Sequence, residues 1–180
     1  GGATVDGVIA LDTNILIDFD GNVAIDFNSS DVAGNVGDEN VQYALVDKTA
    51  PVTSWDGNNS WQTNNANIHL TCSDGNGSGC SVTKYRLDTN SASGVLYGSW
   101  QTYDQNIFVQ ADGNWAIDFN STDAVGRIET TNTSYLLIAS AAPVTSWSGD
   151  NNVWKTSAQS VTLSCSDVVS GCSSTKYRLD

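Results

Sequence analysis

The side chains able to do chemistry in this chain come in matched sets. Cys72 and Cys80 bracket a loop rich in Ser, Asp and Gly, and Cys165 and Cys172 bracket a second loop of the same kind. Thiols this close in sequence are most simply joined locally, Cys72 to Cys80 and Cys165 to Cys172, each bond pinning its own loop. Such bonds belong to an oxidising, extracytoplasmic setting. The rival chemistry is a metal held by thiolates. A structural zinc site typically needs four ligands, whereas each loop offers a pair of Cys, and the single histidine, His69, is matched by Thr162 in the other copy.

Carboxylates collect at turns: Asp18, Asp20, Asp26 and Asp31 in one stretch, Asp112, Asp118 and Asp123 in another. Ca²⁺ takes roughly six to eight converging oxygens, and no EF-hand loop is present to supply them. Asp also builds turns without an ion, because its side chain accepts hydrogen bonds from the N–H groups that follow it. Asp20, Asp31, Asp112 and Asp123 are the Ca²⁺ candidates, and no other cofactor is expected. Asn28, Asn58, Asn76, Asn120 and Asn132 head Asn-x-Ser/Thr sequons and are candidate N-glycosylation sites. Enzyme chemistry finds no footing: there is no nucleophile elbow, phosphate loop or HExxH, and a lone histidine does not recur in a repeated site. Paired Asp residues resemble a glycosidase pair only superficially, since they repeat at turns. Trp55, Trp61, Trp147 and Trp154 recur in both copies. Their faces suit sugar stacking, but matched spacing favours packing.

The elements that must hold these residues are strands. Asn, Ser, Thr, Asp and Gly dominate, while Val, Ile, Thr, Tyr and Trp recur in short runs, a composition of strands and turns. The 180 residues carry a net charge of −13, which disfavours nucleic-acid binding. No apolar run approaches a membrane helix, and no basic start with an apolar core marks a signal peptide. With no Met, the chain reads as a processed product or an internal fragment.

Self-comparison organises the whole sequence. PVTSWDGNNSWQTNNANIHLTCSDGNGSGCSVTKYRLD, from Pro51 to Asp88, returns as PVTSWSGDNNVWKTSAQSVTLSCSDVVSGCSSTKYRLD, from Pro143 to Asp180, at an offset of 92. NVAIDFNSSDVAGNVGDENVQYALV from Asn22 returns as NWAIDFNSTDAVGRIETTNTSYLLI from Asn114 at the same offset. Residues 48–142 therefore contain one complete module with its linkers. Residues 1–47 match only its C-terminal half, and residues 143–180 only its N-terminal half. Following Asp180 by Gly1 and Gly2 restores the register: Asp88 to Asp104 is 16 residues, and Asp180 to Asp12 across the join is 12. The chain is then either one period of a longer tandem array or a subunit completed head to tail by further copies. The short linkers at 47–50 and 139–142 disfavour closure within one chain.

Period-two alternation marks the strands. Trp115, Ile117 and Phe119 are expected to face inward and Ala116 and Asp118 outward, with Val23, Ile25 and Phe27 repeating the pattern. Ile68-Leu70-Cys72, Val161-Leu163-Cys165 and Tyr85-Leu87 alternate likewise, and Tyr135-Leu137 matches Tyr43-Leu45. Asp20-Gly21-Asn22 and Asp112-Gly113-Asn114 are hairpin signals. Several short strands in about 90 residues predict an all-β, immunoglobulin-like β-sandwich.

The run of APVTSW, a later Trp, L-x-C-S-D, SGC, TKYRLD and DGN-x-AIDFNS-x-D resembles bacterial and archaeal Ig-like surface-protein repeats. Their "StD-aGN" turn is matched by Ser30-Asp31-Val32-Ala33-Gly34-Asn35. Ser121-Thr122-Asp123-Ala124-Val125-Gly126 departs from it, with Arg127 in the place of Asn. The resemblance covers essentially the whole chain and implies tandem extracellular modules that act as spacers, stalks or adhesins. The expected function is a structural repeat unit of an extracellular filament, stalk or cell-surface fibre, not an enzyme. Its partners would be copies of itself. An adhesin or carbohydrate-binding module that engages surface glycans is the alternative.

Overall fold

The structure is a computed structural model that describes residues 7, 14–88, 98–149 and 152–180. Gly1, Gly2 and Asp12, which enter the joined register, lie outside the described residues. The fold is all-β. Its strands are β1 (Gly21–Phe27), β2 (Asn40–Val46), β3 (Val52–Trp55), β4 (Trp61–Gln62), β5 (Ala66–Ile68), β6 (Leu70–Ser73), β7 (Cys80–Leu87), β8 (Gln101–Thr102), β9 (Ile107–Val109), β10 (Gly113–Asp123), β11 (Asn132–Ile138), β12 (Val144–Ser148) and β13 (Thr162–Ser166). No helix long and apolar enough to cross a membrane occurs among the described residues.

In the central segment, a five-stranded sheet has the order β4-β11-β10-β7-β8, and β3-β6 and β5-β9 form two antiparallel pairs. One hydrophobic core joins them. Ile117 and Phe119 of β10 and Leu136 and Ile138 of β11 pack with Ala66, Ile68, Leu70, Ile107 and Val109, and Trp55, Tyr85, Leu87 and Trp115 close its margins. The chain changes partners between Ile68 and Leu70, since β5 pairs with β9 and β6 with β3. Exposed His69 sits at the changeover.

Four expectations need correction, the last at Phe27 on β1. On β10, Ala116 and Asp118 were expected to face water, yet both are buried, Asp118 to 2% exposure. The second face of the sheet is covered here by Arg86 and Thr133. Arg86 Nε and Nη2 donate to Asp118 Oδ2 at 2.9 and 2.7 Å, and Thr133 Oγ1 donates to Oδ1 at 2.6 Å. Arg86 also lies 4.8 Å from the Trp100 ring centroid. On β11, the core face is Leu136 and Ile138 rather than Tyr135 and Leu137. Residues directly opposite share a face, and Trp115 opposes Leu136 while Gly113 opposes Ile138. Third, Asp112-Gly113 closes no hairpin. β9 pairs with β5, and β10 with β11 and β7, so the turn carries the chain from one sheet to another. The backbone there requires Gly, with φ at 151° for Gly113 and 142° for the matched Gly21.

The terminal segments form separate two-stranded sheets, β1-β2 and β12-β13. β1 meets β2 in the same register as β10 meets β11: Gly21 opposes Val46 as Gly113 opposes Ile138. What differs is the covering. Phe119 is 2% exposed, whereas Phe27, expected to be buried on the equivalent strand, is 47% exposed. β10 has β7 along its other edge, and β1 has no such neighbour among the described residues.

Candidate functional site

Disulfides join Cys72 to Cys80 and Cys165 to Cys172, and no cysteine is free. Both pairings are those expected, and both are compatible with an oxidising extracellular location. Cys72 lies on β6 and Cys80 begins β7, so the first bond clips the ends of the intervening loop. Within it, Asp74 accepts from Gly79 N–H at 2.7 Å.

The turn carboxylates are not gathered into one site. Asp20 accepts from Lys48 N at 2.6 Å and from Thr49 Oγ1 at 2.6 Å, and Asp112 accepts from Ser140 N and Ser140 Oγ at 3.0 Å each. These two residues tie the linkers to the entrances of β1 and β10. Lys48 also pairs with Asp18. Asp31 closes its own turn, accepting from Asn35 N and Asn35 Nδ2 at 2.8 Å each. Those bonds, the side-chain one first, hold its carboxyl below the ordinary range. Asp167 is lowered too, first by the N–H of Val169 and then by those of Ser170 and Gly171. Asp123 accepts through Oδ1 from Val125 N at 3.0 Å and Arg127 N at 2.8 Å. Of the four Ca²⁺ candidates, it alone joins a cluster among the described residues, with Asp47 and Asp74. Those two partners were not singled out in the sequence. Asp47 lies in a linker after β2 and Asp74 in the disulfide-clipped loop, and their approach is a matter of tertiary folding.

His69 forms a surface pair with Asp56, Nδ1 to Oδ2 at 2.7 Å, and its N–H donates to Asp56 Oδ1 at 2.7 Å. The pair ties the chain changeover to the end of β3. Among the sequons, Asn28, Asn58 and Asn76 are exposed, while Asn120 and Asn132 are half-buried. Asn120 Nδ2 donates to Thr131 Oγ1 at 3.2 Å, and Asn132 Nδ2 to Glu129 Oε1 at 2.7 Å. Trp55 packs on the core, while its match Trp147 is exposed, as are Trp61 and Trp154.

Strand pairing at the two ends is less complete than in the central segment among the described residues. On the central segment, β7 meets β10 with Leu87 opposite Ile117, Arg86 opposite Asp118 and Tyr85 opposite Phe119. The offset of 92 turns these partners into Leu179 and Ile25, Arg178 and Asp26, and Tyr177 and Phe27. Tyr177 is 78% exposed and Leu179 87%, and residues 173–180 form no strand within the chain. Arg178, whose match holds buried Asp118, reaches Asp180 instead, at 2.8 Å in the open. No family model, no curated protein and no solved structure matches this chain.

Proposed function

We propose that the chain is a structural repeat unit of an extracellular filament, stalk or surface fibre, in which residues 143–180 of one copy complete an Ig-like module with residues 1–47 of the next. The observation that carries the reading is that apolar residues whose matches are covered in the central segment lie open or only partly covered at both ends of the chain. Phe27, Ile25, Tyr177 and Leu179 stand at positions whose matches line the core or its margin in the central segment. An open strand edge beside an apolar face favours pairing with another chain. The contact joins the end of one copy to the start of the next, so it propagates into an open fibre unless a ring closes it. In a covalent tandem array the same contact forms within one polypeptide. The disulfides then pin a loop in each module, and short linkers capped by Asp20 and Asp112 limit bending.

Intact mass of native material separates subunits of 19.0 kDa from a longer array. Sedimentation velocity and electron microscopy of the purified chain test the contact itself. Assembly is expected for the wild type and its loss for Tyr177→Asp and Leu179→Asp, with the central segment still folded. A chain that stays monomeric, or an assembly indifferent to both variants, refutes the reading. Trp61 remains exposed on the complete segment, which favours a carbohydrate-binding module as the second reading. Selective glycan binding abolished by Trp61→Ala would support that alternative.

A further inference from the structure

We infer that Asp47, Asp74 and Asp123 form a Ca²⁺ site at the junction between the linker and the central segment. The three residues come from distant places. Asp47 follows β2, Asp74 lies in the disulfide-clipped loop, and Asp123 ends β10 where the register against β7 shifts. One carboxylate oxygen from each lies within 4.8 Å of the other two. A cluster of acids alone proves little, because exposed carboxylates often sit near one another. Here each residue keeps an oxygen that is shielded from solvent and has no hydrogen-bond partner: Asp47 Oδ1, Asp74 Oδ1 and Asp123 Oδ2. Asp123 is itself 2% exposed. A buried carboxylate oxygen without a donor is costly, and a cation removes that cost.

The matched turn has no such orphaned oxygen. In that turn Asn35 Nδ2 donates to Asp31 Oδ2, and Asn35 N to Oδ1, so both oxygens are used. At the matched position Arg127 replaces Asn35. Its N–H still serves Asp123 Oδ1, but its Nε turns to the Asp47 backbone carbonyl at 3.1 Å, and Asp123 Oδ2 is left for another partner. The remaining oxygens of the cluster are held in place. Ser78 N donates to Asp47 Oδ2 at 2.7 Å, and Gly79 N to Asp74 Oδ2 at 2.7 Å. Gly77 passes so close that a Cβ there would lie 2.6 Å from Asp74 Oδ2 and 3.0 Å from Asp47 Oδ1.

An all-oxygen set with several carboxylates suits a hard cation. Ca²⁺ accepts irregular geometry and solvent ligands, whereas Mg²⁺ demands near-octahedral order. The ion would bridge the linker, the disulfide loop and the end of β10, stiffening this junction. At the positions matched to Asp47, Asp74 and Asp123 stand Ala139, Asp167 and Asp31. If modules join as proposed above, the second junction lacks one carboxylate, and stiff and compliant junctions alternate along the fibre.

Calorimetric titration of EDTA-treated full-length chain with CaCl₂ tests the site. One Ca²⁺ per chain is expected, with a Kd of about 10⁻⁴–10⁻³ M as in extracellular modules, together with a calcium-dependent rise in melting temperature. Asp47→Asn and Asp74→Asn should each weaken binding at least about tenfold while near-ultraviolet circular dichroism stays native. Asp31→Asn should leave it unchanged. An absence of calcium binding, or binding that survives both cluster substitutions, overturns the site. Equal affinity for Mg²⁺ overturns the choice of ion. Because the readout is binding to the isolated chain, it is independent of whether copies assemble.

Discussion

The buried pair at the centre of β10 gives the sharpest energetic test, because its counterpart Asp26 lies on β1, which pairs with β2 but has no neighbour equivalent to β7 among the described residues. Replacing Asp118 by Ala removes the acceptor of two Arg86 hydrogen bonds and one from Thr133. The carboxylate side chain is 3% exposed and that of Arg86 25%. Breaking a buried pair by deleting one partner costs about 3–5 kcal/mol. Arg86 is partly solvated and keeps its contact with Trp100, so the lower end, about 3 kcal/mol, is the expected loss. For a segment of roughly 90 residues, each kcal/mol moves the melting midpoint by about 4–8 °C, which predicts a fall of about 12–24 °C. Asp26→Ala makes the same substitution on exposed β1, and in dilute, unassembled chain it should stay within about 0.5 kcal/mol of wild type. Guanidinium and thermal unfolding of both variants, followed by tryptophan fluorescence and far-ultraviolet circular dichroism, read the difference. Equal losses at the two positions would refute the assignment of covered and open faces. In assembled material the inequality should shrink, because Arg178 of the preceding copy is expected to meet Asp26 as Arg86 meets Asp118.

The disulfide and the acid limb supply further tests. The Cys72–Cys80 bond spans a separation of 8 residues, and loop entropy gives it about 2.5 kcal/mol of stabilisation; denaturant unfolding of the Cys72→Ser/Cys80→Ser chain should show that loss, and unchanged stability would argue against it. Asp56 is held below the ordinary value of 3.8 first by the His69 N–H and then by the His69 side chain. A depressed folded pKa contributes stability that is complete above the ordinary value and is lost as pH falls through the lowered one. An NMR titration should therefore place the Asp56 midpoint below 3.8. His69→Ala should reduce the depression without abolishing it, because the backbone N–H, its largest cause, remains.

Local pattern carried much of this protein. Composition and period-two alternation were enough for an all-β fold, since strands bury alternate residues whatever they pack against. Cysteine spacing was enough for both disulfides, because a short loop brings its own ends together. The offset of 92 paired Trp55 with Trp147 and Phe119 with Phe27 on sequence alone. What alternation cannot report is how many faces of a strand are covered. Asp118 looks like a solvent-facing residue in any single strand, and only the arrival of Arg86 from β7 and Thr133 from β11 buries it. Phe27 reads as core by the same pattern, yet it stays open: β7 runs beside its match Phe119, whereas the match of β7, residues 172–179 at the far end of the chain, forms no strand. The acidic cluster shows the same division. Asp123 was visible as a turn residue, but its meeting with Asp47 and Asp74 depends on a linker, a clipped loop and a strand end converging in space. Local sequence sets backbone conformation within a few residues, whereas contacts between residues 76 apart, such as Asp47 and Asp123, exist only once the sheets have packed.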